Sequence, residues 1–103
     1  MITHIGMLTF APTATDADRQ AIADGLAAML GQIDGLTSVA VAQDAGLKDG
    51  NAGLIFQLSF DSEDAWRNYG AHPAHQKLVA ERIAPVIVAK SFLQTTGFAE
   101  VSL

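Results

Sequence analysis

Gly53-Leu-Ile-Phe-Gln-Leu-Ser-Phe60 alternates more regularly than any other stretch of the chain, and reading it decides the fold. Leu54, Phe56, Leu58 and Phe60 fall on one side of an extended backbone, with Ile55, Gln57 and Ser59 on the other. That period predicts a central strand with one face against a core. Downstream, Asp61 is placed to cap a helix whose first turn carries Glu63 and Asp64, and the helix reaches about Tyr69. Upstream lies a polar loop, Ala45 to Ala52, rich in Gly, Asp and Asn. Before it, Leu36 to Gln43 carries Leu36, Val39 and Val41 in a run suited to another strand.

Further out, residues 2 to 10 read as a strand with His4, Gly6, Leu8 and Phe10 on one face and Thr3, Ile5, Met7 and Thr9 on the other. Thr15-Asp-Ala-Asp18 resembles a capping box, and the helix it opens runs to about Gln32, closed by Asp34-Gly35. Its stripe is Ile22, Leu26, Met29, Leu30 and Ile33. Beyond Tyr69, Gly70 is read as a left-handed helix end and Pro73 as the first residue of a second helix, which continues to Ile83 and stops near Pro85. A last strand follows from Val86, and Phe98 to Leu103 holds a further apolar run.

The order of strand, helix, two strands, helix pair and strand predicts an α+β fold: a split βαβ sandwich with an antiparallel sheet and helices on one face, built as a single domain over residues 1–103. Its other sheet face carries apolar groups and needs a cover. A homodimer pairing through the sheet faces supplies one.

Six basic against eleven acidic residues give a net charge of -5, which argues against nucleic acid and anionic membrane surfaces as partners. No cysteine is present, so thiolate chemistry is excluded. No apolar run is long enough to span a membrane and no signal-like N-terminus is seen, so a cytoplasmic protein is expected.

The groups capable of proton chemistry crowd into Tyr69-Gly-Ala-His-Pro-Ala-His75. With a helix opening at Pro73, His75 lies in its first turn on the face of Leu78 and Val79, pointing inward, while His72 sits near the cap and points outward. The helix N-terminus and an apolar surrounding both disfavour an imidazolium, so His75 is expected neutral and able to accept a proton. Tyr69 follows Trp66 by three residues, which turns both rings to the core and leaves the phenol in want of a partner. His4 is placed on the floor of the same pocket, Gly6 leaves space beside it, and Leu8, Leu54, Phe56, Leu58, Trp66, Leu78 and Val79 wall it. The competing structural reading is that His75 packs the helix start and Tyr69 fills core. His72 and His75 do not make a metal site, for they face apart and lack an evident third ligand beyond His4 or Glu81; no metal is expected.

His4, Phe60-Asp-Ser62 and above all Tyr69-Gly-Ala-His-Pro-Ala-His75 resemble the stress-responsive A/B barrel family, also called dimeric α/β barrels, and the resemblance covers nearly the whole chain. It implies ferredoxin-like subunits pairing through their sheets, without organic cofactor. Members include plant stress proteins without assigned activity and a cyclase that closes a linear polyketide chain. In the cyclase the corner tyrosine and second histidine carry the chemistry, which the resemblance transfers to Tyr69 and His75, with His4 as the first-strand histidine. Leu54 and Leu26 stand where that cyclase has a further histidine and a tyrosine. Three functions follow as expectations: a cofactor-independent cyclase acting on a hydrophobic small molecule, a non-catalytic ligand-binding or stress-protective dimer, and a cofactor-free monooxygenase.

Overall fold

The computed structural model describes residues 1–103. Its order is β1 (Ile2–Phe10), α1 (Asp16–Ala28), β2 (Leu36–Gln43), β3 (Leu54–Phe60), α2 (Glu63–Tyr69), α3 (Pro73–Leu78) and β4 (Ile87–Thr95). All strand pairings are antiparallel, in the spatial order β2-β3-β1-β4, which is the ferredoxin-like sheet. β3 is central, and its alternation is realised: Leu54, Phe56, Leu58 and Phe60 are buried and Ile55 is exposed. On β2, Leu36 stands out of period with Val39 and Val41. A bulge between Leu36 and Ser38 inserts the extra residue and returns all three to the helix-covered side.

The Thr15 capping box forms reciprocally with Asp18, so α1 starts where the sequence indicates. It ends earlier than expected, at Ala28 instead of Gln32. Met29 and Leu30 bond back only to Leu26 and Ala27, and Gly31, at φ +90°, turns the chain in a conformation costly for any residue with a Cβ. Leu30 consequently leaves the stripe and is exposed, while Ile22, Leu26, Met29 and Ile33 stay buried.

α2 is capped by Ser62, whose hydroxyl accepts from the Ala65 N–H, and not by Asp61. Gly70 is right-handed, at φ -59°, so the corner is made without the left-handed glycine anticipated. Pro73 opens α3 at its N-terminus, with His72 as cap: its Nδ1 accepts from the Ala74 N–H at 3.0 Å. The helical path continues to Ile83, but as a π-type turn over Val79–Ile83, and Pro85 lies in a short 3-10 turn before β4. Residues 96–103 form no strand.

The core is one cluster between sheet and helices. The opposite sheet face is open, exposing Met7, Ile55 and Leu93. No helix is long and apolar enough to cross a membrane.

Candidate active site

β1 brings three helix-side residues, His4, Gly6 and Leu8, to the middle of the sheet. Gly6 lies opposite both Phe56 on β3 and Phe92 on β4. A Cβ there would collide with both rings, at 2.7 Å from Phe92 Cδ1. Gly6 therefore seats two aromatic rings; it does not itself line the cavity. His4 is opposite Gln94 in the register, which explains their hydrogen bond. The Gln94 amide donates to His4 Nδ1 at 2.9 Å, so the proton of neutral His4 is on Nε2.

α2 contributes Trp66 and Tyr69 by their spacing of three, with Tyr69 buried and Trp66 half-buried. The first turn of α3 contributes His75, whose ring centroid is 4.2 Å from that of Tyr69. Tyr69 lies 5.7 Å from His4, centroid to centroid. The corner and the first strand thus converge on one place.

His75 Nδ1 lies 3.2 Å from the Gly70 carbonyl oxygen. A carbonyl only accepts, so Nδ1 carries the hydrogen, and neutral His75 presents Nε2 as a bare acceptor. No side-chain nitrogen or oxygen is buried without a partner. Since the Tyr69 hydroxyl, His4 Nε2 and His75 Nε2 have no hydrogen bond within the protein, each keeps access to the cavity.

Burial lowers the His75 pKa below its ordinary value, with the Gly70 carbonyl pulling weakly the other way. His4 is lowered chiefly by burial and secondly by repulsion from a charged His75. Burial pushes the Tyr69 phenol up, so it remains a hydrogen-bond donor at neutral pH. At neutral pH His75 offers one fixed acceptor and Tyr69 and His4 offer two donors, all three groups uncharged.

These groups line a cavity of about 520 Å³ between sheet and helices. Of the expected lining, His4, Leu8, Phe56, Trp66, Tyr69, His75, Leu78 and Val79 are on its wall, whereas Leu54 and Leu58 are packed into the core cluster, 2% and 0% exposed. Their strand alternation is right, but their side chains are covered by the core cluster and do not reach the cavity. His72 is outside the cavity, engaged as the α3 cap. Reasoning from sequence missed Leu26, Ile83, Ala84 and Ile87 among the apolar walls, and Arg67, Gly70, Lys90 and Phe92 elsewhere on the lining. Phe92 and Lys90 were discoverable in principle, since they alternate with Gln94 along the last strand; their position opposite β1 was not. No three His, Asp or Glu side chains gather into an arrangement that could hold a metal ion.

A family model described as the stress responsive A/B barrel domain matches residues 2–92. A dimeric ferredoxin-like protein of unknown function from Thermobifida fusca superposes with a TM-score of 0.80 at 29% identity, covering 91% of this chain and 88% of that one. A hydroxynitrile lyase from Passiflora edulis gives 0.78 at 12% identity, covering 95% and 96%. A cofactor-independent oxygenase from Streptomyces nogalater, SnoaB, gives 0.76 at 14% identity, covering 97% and 95%. The last two likenesses speak to fold alone. Comparison with curated protein sequences finds no match.

Proposed function

The chain belongs to the stress responsive A/B barrel family, and from that premise we propose that it is a cytoplasmic homodimer whose cavity binds a hydrophobic carbonyl compound and removes a proton beside the carbonyl, with His75 as base. The observation that carries this reading is the committed tautomer of His75. With Nδ1 donating to Gly70, the only lone pair left is Nε2, inside an apolar cavity beside a neutral phenol. Imidazole with a lowered pKa is unprotonated at neutral pH and ready to act.

In the proposed step the C–H bond breaks, its proton moves to His75 Nε2, and the electron pair passes to the carbonyl oxygen. Tyr69 and His4 Nε2–H are the donors placed to stabilise that oxygen as it gains charge. In a chain with a second carbonyl, the enolate carbon attacks it, a C–C bond forms, and the His75 imidazolium returns its proton to the new alkoxide. This is an intramolecular aldol closure; a Claisen-type closure starts with the same proton transfer. Polyketide-like chains are the substrate class that offers both carbonyls. Base catalysis contributes roughly 10²–10⁴-fold, and the remainder comes from folding the substrate within the cavity.

Pairing through the open sheet faces would cover Met7, Ile55 and Leu93, and the Thermobifida fusca protein is described as dimeric.

The test is deuterium exchange at the carbons flanking the carbonyl of 2-decanone, followed by NMR, with light scattering on the same samples. Wild type is expected to be dimeric and to exchange faster than buffer; His75→Ala should stay dimeric and lose about 10²–10⁴-fold. Full exchange by a folded His75→Ala removes the base assignment, and a monomeric wild type removes the pairing. Ketone binding without exchange leaves a non-catalytic ligand-binding dimer. Oxygen uptake with an electron-rich quinol would move the reading to a cofactor-free monooxygenase.

A further inference from the structure

The charges on the cavity lining run against the composition of the chain. Acidic residues outnumber basic ones eleven to six in the sequence, yet the lining includes two cations, Arg67 and Lys90, and no Asp or Glu. A rim selected only for solvation in so acidic a protein would carry acids as well. The cations come from different elements, Arg67 from α2 and Lys90 from β4, so helix periodicity alone does not bring them together.

Each is also held against an aromatic wall residue. The Arg67 guanidinium carbon lies 5.6 Å from the Trp66 ring centroid, and Lys90 Nζ lies 5.9 Å from that of Phe92. Arg67 has one acidic neighbour, Glu63, at 3.5 Å from its Nε. Both partners are more than half exposed, so that pair is weak, and it leaves the two terminal guanidinium nitrogens outside the ion pair.

We propose that the cavity takes an amphipathic ligand whose apolar chain fills the interior and whose oxyanion, a carboxylate or a phosphate, sits at the rim with Arg67 and Lys90. The substrate is then a carbonyl-bearing acid, or an acyl chain on a phosphate-bearing carrier. This deepens the proposed function and rests on the cavity being its ligand site. An arginine fork suits either oxyanion, and the lysine adds a second positive charge without demanding a geometry.

The experiment is titration calorimetry of decanoate, decyl phosphate and 2-decanone into wild type and into an Arg67→Gln/Lys90→Gln double variant, at low and high salt. Exposed cations contribute about threefold each, so one or both anions should bind about tenfold more tightly than the ketone to wild type. That preference should fall towards unity in the double variant and shrink in high salt. Tighter binding of decanoate names a free acid, and tighter binding of decyl phosphate names a carrier. Equal binding of anions and ketone, or a preference that survives the double variant, overturns the inference and leaves the cavity as a ligand site. Failure of all three to bind overturns both.

Discussion

Below the helix layer the sheet is treated in two different ways. Towards β2 and β3 it is sealed: Ile22, Met29 and Ile33 from the α1 side join Leu36, Leu58 and Phe60 in a continuous buried cluster. Towards β4 it is open, because β4 has its extensive contacts with β1 alone, and Phe92 stays 46% exposed beside the cavity. The sealed side is mostly aliphatic, with Phe60 as its large ring. The open side gathers Phe92 with His4, Trp66, Tyr69 and His75, four rings whose polar atoms need either a partner or access to solvent or a ligand. One sheet therefore carries a sealed core at one end and an open cavity with polar rings at the other, and the difference follows from which strand the helices cover.

The largest effect that would separate the two sides is in stability. Phe60→Ala, at a fully buried position, should cost about 3–5 kcal/mol in urea unfolding, whereas Phe92→Ala should cost about 1 kcal/mol or less. Equal losses would mean that the β4 side is as tightly packed as the rest. Next comes Gly6→Ala, which sets a methyl group against the Phe56 and Phe92 rings and should cost about 1–3 kcal/mol while pushing those rings towards the cavity. A fall in 2-decanone affinity checks the second half of that statement; unchanged affinity would restrict Gly6 to packing.

The smallest effect is a pH dependence confined to the open side. His4 and His75 both have folded pKa values below the ordinary 6.5. As pH drops below 6.5 the unfolded chain takes up protons that the folded chain does not, so the stabilisation present above 6.5 is lost as pH falls towards the folded values. Denaturation midpoints across that range should decline in wild type and in Phe60→Ala alike, and less steeply in a His4→Asn/His75→Asn protein. An undiminished decline in the double variant would place the titrating groups elsewhere.

Much of this molecule was legible along the chain. β3, β1 and the α1 start were readable because their signals are local: alternation for the strands, and a Thr and an Asp three apart for the cap. The Tyr69 to His75 corner was readable for the same reason, through Pro73 and the helical spacings around it. Misreadings cluster where two local signals compete. Gly31 ends α1 before the Asp34-Gly35 pair can, Ser62 caps α2 in place of Asp61, and Gly70 keeps a right-handed conformation with its carbonyl turned to His75.

By itself, then, the sequence determined the kinds and order of the elements, the helix-facing side of β3, and the concentration of proton-active groups at one corner. Tertiary structure alone decided that Leu54 and Leu58 are core while Phe92 and Lys90 reach the cavity, and that Gln94 and Gly70 set the tautomers of His4 and His75. The reason is physical: periodicity assigns a residue to a face, but only strand register and the footprint of the helices determine which part of that face is covered.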